Sequence, residues 1–98
     1  MQDINYKLKN KSGIYSFLNL VNGKRYVGSS VDLYNRLHEH VHNLKNNKAH
    51  NAHFQNAWNK YGEKKFKFTI LEECDEEILL EKEQFYIDSI NEGQENAI

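Results

Sequence analysis

The chain has 98 residues, of which 39% are hydrophobic, and this is enough for one globular domain with a single modest core. Its only cysteine is Cys74, which excludes an internal disulfide and a cysteine-based zinc site and is compatible with a reducing, intracellular location. No stretch approaches the roughly 18 consecutive apolar residues of a membrane-spanning helix, so we expect no membrane partner.

The formal net charge of −1 conceals an uneven distribution of charge along the chain. Residues 1–65 carry eleven Lys and Arg against four Asp and Glu, whereas residues 66–98 carry two against ten. A basic segment of this kind indicates a polyanion as partner, for example a nucleic acid. The alternative is a domain with unevenly scattered surface charge, and composition alone does not choose between the two.

The first predicted element is a β-hairpin in residues 12–30, SGIYSFLNLVNGKRYVGSS, where β-forming residues flank the turn signal Asn22-Gly23. A loop with an even number of residues would bring alternate side chains of both strands onto common faces. One face then carries Tyr15, Phe17, Tyr26 and Gly28, and the other carries Ile14, Leu18, Leu20 and Val27.

Two tyrosines and two glycines therefore lie close together in this predicted hairpin. We expect both phenols to emerge beside backbone that lacks Cβ atoms, at Gly13 and Gly28, where another molecule can approach closely. The alternative is that Tyr15 and Tyr26 only pack against a half-buried face of the sheet.

The residues after the hairpin change to helical spacing, and Ser30 is the predicted N-cap of this helix. Its apolar stripe consists of Tyr34, Leu37, Val41 and Leu44. Arg36 and His40 lie four residues apart on one flank, about a quarter-turn from that stripe. An arginine fork suits a phosphate, and His40 can hydrogen-bond the same group or move a proton. The alternative is a solvated Arg-His pair.

Three more elements complete the predicted order β-β-α-α-β-α. A second helix covers about residues 51–61, with Phe54, Ala57, Trp58 and Tyr61 inward, and ends at Gly62. The stretch KFKFTILEE alternates like a strand, and Asp75 caps a last helix that ends near residues 91–93. This order predicts an α+β fold in which helices pack on a small antiparallel or mixed sheet.

Glu83 lies in the middle of the apolar face of this last helix, among Leu79, Tyr86, Ile87 and Ile90. An ionised carboxylate among core residues costs several kcal/mol unless a cation or strong donors compensate it. A bound divalent metal would do so, and so would Arg36 in a simple buried ion pair. By contrast, His38, His40 and His42 spread round their helix and do not form a closed zinc site.

Taken together, these residues resemble the GIY-YIG nuclease family, and most closely the nuclease domains of phage and organellar intron-encoded homing endonucleases. The signature appears as GIY at residues 13–15 and YVG at residues 26–28. The stretches YVGSSVDLYNRLHEH, HNAHFQNAWNKYGEKKFKFTILEE and EKEQFYID continue the resemblance. We expect one domain over residues 1–98, with its core in about residues 12–96.

The resemblance implies a three-stranded antiparallel sheet flanked by helices and a set of functional residues. Catalytic roles fall to Tyr15, Tyr26, Arg36 and His40, and Glu83 is implied as the ligand of one Mg²⁺ or Mn²⁺ ion. Asn96 in ENAI stands near the asparagine that family members carry at the end of the domain, although Glu95 replaces the usual preceding aromatic residue. His50 falls within one residue of a histidine that the homing group often shows.

The implied function is a metal-dependent DNA endonuclease that hydrolyses phosphodiester bonds by attack of water. The alternatives are a catalytically inactive nucleic-acid-binding module of the same fold and a structural protein with an incidental resemblance. We expect a monomer that acts on double-stranded DNA in a phage-infected cell, the bacterial cytoplasm or a mitochondrion. No recognition helix or zinc knuckle is visible in the sequence, so we expect weak affinity and little sequence selectivity.

Overall fold

A computed structural model describes residues 6–90, and its elements follow the predicted order. The elements are β1 (Gly13–Asn19), β2 (Arg25–Ser30), α1 (Leu33–Lys45), α2 (Ala52–Tyr61), β3 (Phe66–Glu73) and α3 (Leu79–Ile90). The strands form one antiparallel sheet in the order β2-β1-β3, so the α+β prediction is confirmed and the mixed sheet is excluded. None of the helices in residues 6–90 has the length and apolar character needed to cross a membrane.

The hairpin of β1 and β2 has the predicted register. Asn19 closes it through backbone hydrogen bonds with Lys24 and Gly23, both 2.8 Å long, and the intervening loop at residues 20–23 has an even number of residues. Gly23 adopts a φ of +75°, which a glycine accommodates without strain. Phe17 therefore pairs with Tyr26, and the predicted faces are confirmed. Leu20 is the exception, because it lies beyond the strand and is 55% exposed.

The sheet separates two hydrophobic clusters. The larger cluster fills the space between the sheet and helices α1 and α2, and includes Tyr15, Phe17, Leu33, Leu37, Leu44, Phe54, Ala57, Trp58, Phe66 and Phe68. The smaller cluster lies under α3 and comprises Ile14, Val27 and Leu79, with Leu71, Cys74, Tyr86, Ile87 and Ile90 at its edge. The central strand β1 thus contributes side chains to both clusters.

A β-bulge interrupts the pairing of β1 with β3. Tyr15 pairs with Ile70 whereas Ile14 pairs with Glu72, which leaves Leu71 as the extra residue. The bulge turns Leu71 into the cluster beneath α3. At the start of β1, a Cβ on Gly13 would collide with the backbone of Glu72, so the close approach of these strands requires glycine.

The beginnings of two helices correct the sequence-based predictions. Asp32, not Ser30, caps α1, because its carboxylate accepts a hydrogen bond of 3.1 Å from the backbone N–H of Asn35. Ser30 instead accepts from the backbone N–H of Asp32 and shapes the preceding turn. Asp75 makes no side-chain capping bond; a short 3₁₀ turn, Glu76–Ile78, follows it, and α3 begins only at Leu79.

Candidate active site

The phenol of Tyr15 is buried between the sheet and α1. Its side chain is 1% exposed, and its ring stacks on Phe68 with the centroids 5.5 Å apart. The phenolic oxygen forms a 2.7 Å hydrogen bond with Nε2 of His40. The strand and the helix are therefore joined by a polar contact inside an otherwise apolar cluster.

Gly28 lies opposite Tyr15 in the pairing of β1 with β2. A Cβ at Gly28 would collide with the hydroxyl end of the Tyr15 side chain, so glycine is required for the phenol to occupy this place. This corrects our expectation that the glycine leaves bare backbone open to another molecule. The phenol of Tyr15 occupies this space, and its side chain stays buried there.

A small pocket of about 30 Å³ opens where α1 meets the start of α2. Its walls are Tyr26, Arg36, His40, Asn43, Ala49, His50, Asn51 and Phe54. Arg36 also forms an ion pair with Glu39 on the exposed side of α1. The ring of Tyr26 lies against both His40 and Phe54, with centroid separations of 5.6 and 5.0 Å. The pocket thus combines cationic, phenolic, imidazole and amide groups.

Burial and neighbouring charges shift the pKa values of the site. Burial raises the pKa of Tyr15 and of Tyr26, and the positive charge of Arg36 partly opposes both shifts. Burial, followed by the charge of Arg36, lowers the pKa of His40 to about 4. At neutral pH His40 is therefore uncharged, and one of its ring nitrogens can accept a proton.

Glu83 approaches this group from the opposite side of β2, the edge strand of the sheet. Its carboxylate is half-buried and accepts a 2.7 Å hydrogen bond from the hydroxyl of Ser29. The negative charge of Glu83 contributes to the raised pKa values of Tyr15 and Tyr26, so it acts across the strand on both phenols. The predicted position on the apolar face of α3 is correct.

No Lys, Arg or His side chain within residues 6–90 forms an ion pair with Glu83, and Arg36 turns instead to Glu39. The simple buried ion pair of Glu83 with Arg36 is therefore wrong. One carboxylate oxygen binds Ser29, and the other has no hydrogen-bond partner among the described residues. This donor set fits a hard divalent cation that keeps most of its water ligands and binds the protein through one carboxylate.

The structure brings together five of the six residues selected from the sequence: Tyr15, Tyr26, Arg36, His40 and Glu83. Asn96, the sixth, lies outside the described residues. Three neighbours of the site were missed: Ser29, Asn43 and Asn51. Two had a signal in the sequence, since Asn43 follows His40 by three residues on the same helix flank and Ser29 shares the Val27 face of β2.

Known proteins of one family are similar to this chain. Residues 11–96 match the model of the GIY-YIG catalytic domain. A probable intron-encoded endonuclease of Neurospora crassa is 52% identical over 65 residues, which are 66% of this chain and 20% of that protein. An intron-associated endonuclease of Enterobacteria phage T4 is 36% identical over 83 residues, which are 83% of this chain and 34% of that protein.

Solved structures match most of the chain. The catalytic domain of the homing endonuclease I-TevI superimposes with a TM-score of 0.78 at 35% identity, covering 83% of this chain and 89% of that domain. A second structure of that domain, with one substitution, gives a TM-score of 0.77. The chain spans about a fifth and a third of the lengths of the two relatives named above. It belongs to the GIY-YIG family, and its residues 11–96 form a GIY-YIG catalytic domain of the homing-endonuclease type.

Proposed function

We propose that this domain is an endonuclease that hydrolyses phosphodiester bonds of double-stranded DNA with one divalent cation, Mg²⁺ or Mn²⁺. The observation that carries the proposal is Glu83, a half-buried carboxylate without a cationic partner among the described residues, which acts on both phenols across β2. The similarity to intron-encoded endonucleases supports the same reaction class. When bound, the cation supplies positive charge for a phosphate oxygen and for the departing 3′ alkoxide.

Arg36 and Tyr26 line the pocket and are proposed to bind the scissile phosphate. The guanidinium of Arg36 can donate to two non-bridging oxygens and offset the charge that builds on them in the transition state. Removal of one such donor commonly slows a reaction by about 10²- to 10³-fold. Tyr26 has a hydroxyl that can donate to the same phosphate.

Tyr15 and His40 are proposed to carry the proton of the attacking water. A neutral phenol can accept a proton only if it gives up its own, and the 2.7 Å hydrogen bond to Nε2 of His40 offers an acceptor. The water proton moves to the Tyr15 oxygen while the phenolic proton moves to His40, and the resulting hydroxide attacks phosphorus in line with the 3′ oxygen. The 3′ oxygen leaves with the bonding electron pair and is protonated from solvent.

The test is cleavage of supercoiled plasmid DNA with Mg²⁺, with Mn²⁺ and with a chelator. We expect nicked or linear product with either metal and none with the chelator. Arg36→Ala and Glu83→Gln should each reduce the rate at least 100-fold. The matched control is Glu81→Gln, which neutralises an exposed carboxylate on the same helix and should cleave normally.

Two results would contradict the proposal. If Arg36→Ala and Glu83→Gln both cleave as fast as the unmodified protein, these residues do not have the proposed roles. If the unmodified protein binds DNA in a salt-sensitive manner but forms no product with any divalent metal, the domain is an inactive binding module.

A further inference from the structure

Five cationic residues gather where the β1–β2 hairpin meets the start of β3, and we call this set the basic end. Its members are Lys24, Arg25, Lys64, Lys65 and Lys67. The two segments that form it, residues 16–28 and 64–71, contain no Asp or Glu. The opposite end of the same sheet and the turn after it carry the acidic residues Glu72, Glu73, Asp75, Glu76 and Glu77.

The sheet register places the cations of the basic end side by side. Leu18 pairs with Arg25 on one side and with Lys67 on the other, so these two residues flank β1 in one cross-strand row. Two strand spacings separate their backbones by about 10 Å. Asn19 and Leu20, which follow in β1 and the loop, bond to the backbone carbonyls of Lys24 and Lys65.

The positive charges of the basic end are not compensated within the described residues. None of its five side chains forms an ion pair there, whereas Lys45 pairs with Glu63 and Lys82 with Glu72, each at 3.3 Å. Like charges that share one surface repel each other, and an anion from outside the domain would relieve this repulsion.

Two hydrogen bonds fix the guanidinium of Arg25 in an orientation that suits binding of such an anion. One of its terminal nitrogens donates to the hydroxyl of Ser16 at 2.8 Å and to that of Thr69 at 3.3 Å. Both hydroxyls are neutral, so they fix the orientation of the guanidinium without neutralising its charge. The other terminal nitrogen has no hydrogen bond within the described residues, and a planar guanidinium suits two-point binding of a phosphate.

We propose that the basic end binds the phosphate backbone of duplex DNA at a place separate from the catalytic pocket. The inference rests on the proposed function, because it concerns how the same DNA is held. Tyr26 and Arg25 are adjacent in β2 and point to opposite faces, so one strand would carry both a pocket phenol and an anchoring cation. The exposed Leu20 and Val21 at the hairpin tip would lie against the groove beside these phosphates.

The experiment compares two double variants of equal net charge by fluorescence anisotropy with a short duplex DNA, without divalent metal and over a range of KCl concentrations. Lys65→Gln with Lys67→Gln removes two cations of the basic end. Lys45→Gln with Lys82→Gln removes two paired cations elsewhere. We expect the first pair to weaken binding at least tenfold at low salt and to lower the slope of log K against log[salt] by about 2. The control pair should leave the slope unchanged.

Arg25→Lys tests the guanidinium by itself, because it keeps the charge and loses the fork. We expect weaker binding with a nearly unchanged salt slope. For Arg25→Lys and for the double variant of Lys65 and Lys67, cleavage at saturating DNA should keep the unmodified kcat while KM rises, since the catalytic pocket is intact. Circular dichroism and the thermal midpoint check that each variant is folded.

Two outcomes would overturn the inference while the proposed function stands. The first is an equal salt slope of DNA binding for the two double variants. The second is that substitutions in the basic end change the sedimentation of the protein but not its affinity for DNA. The second result would identify the surface as a contact with the acidic end of another copy. Absence of DNA cleavage by the unmodified protein with every divalent metal would instead contradict the proposed function and leave the binding comparison valid.

Discussion

Gly28 and Tyr15 face each other across the pairing of β1 with β2, and each position limits the other. The phenol occupies the volume that a side chain at residue 28 would need. The glycine of YVG and the tyrosine of GIY therefore depend on each other for space. The hydrogen bond between Tyr15 and His40 connects this pair with α1.

Gly28→Ala should displace the Tyr15 ring and break its contact with His40. Overpacking of this kind commonly costs about 1–3 kcal/mol of unfolding free energy, and we expect plasmid cleavage to fall more than tenfold. Urea denaturation and the cleavage rate measure the two effects. Tyr15→Leu removes both colliding atoms, the phenolic oxygen and Cζ, so Gly28→Ala should cost less in that background. Additive costs in the double-mutant cycle would show that the two residues do not compete for space.

His40 should make the stability depend on pH. Its pKa is about 4 in the folded protein and near 6.5 in an unfolded chain, so the unfolded state binds more protons between these values. The contribution is complete above pH 6.5 and is lost as the pH falls toward 4, and it amounts to about 3 kcal/mol in total. Urea denaturation between pH 5 and 7.5 should show this loss, and His40→Gln should flatten the curve. An equal slope in both proteins would contradict the assignment.

Helix α1 determines the position of the candidate active site, because it carries Arg36, His40 and Asn43 on one flank. Its start was predicted at Ser30 because serine is a common N-cap, yet Asp32 has this role. Ser30 and Asp32 are both good caps, and only the course of the turn after β2 decides which side chain meets the free N–H groups.

Asp32→Ala should lower the unfolding free energy by about 1 kcal/mol, because the first turn of α1 loses its side-chain acceptor. Asp32→Asn keeps an oxygen in the same place and should leave the stability within a few tenths of a kcal/mol of the original. Thermal denaturation of both variants measures the difference. Equal losses in the two variants would mean that the charge, not the cap, supports the helix.

The sequence predicts well which face of a strand or helix a residue lies on, but it predicts poorly how deeply the residue is buried. The Asn-Gly turn fixes the hairpin register, and therefore the common face of Tyr15 and Tyr26 follows from alternation alone. Burial of Tyr15 depends on how closely α1 packs, and neither strand contains that information. In the same way, helical periodicity places Glu83 on the inner face of α3, whereas its hydroxyl partner, Ser29, depends on how that helix crosses β2.

Strand β1 contributes side chains to both hydrophobic clusters and so links them. Trp58, the only tryptophan, lies in the cluster under α1 and α2, whereas Ile14 lies in the cluster under α3. Because both clusters share the central strand, we expect the domain to unfold in a single cooperative transition.

Ile14→Ala should therefore lower the urea midpoint of both clusters, the one under α3 that contains Ile14 and the one under α1 and α2. Removal of a buried isoleucine side chain costs about 2–5 kcal/mol, and the fluorescence of Trp58 should report this loss at the same urea concentration as circular dichroism. Val31→Ala, at a position that is 51% exposed, is the control and should change little. Separate transitions for the two signals would show that the clusters unfold independently.

Positive charge at the basic end and negative charge around the start of α3 lie at opposite ends of the sheet, although the net charge of the chain is only −1. Near a long, uniformly negative rod such a particle feels little overall pull but a considerable torque. The domain would rotate so that its hairpin faces the rod before contact, with the acidic residues around the start of α3 pointing away. Productive collisions would then be selected by rotation during the approach.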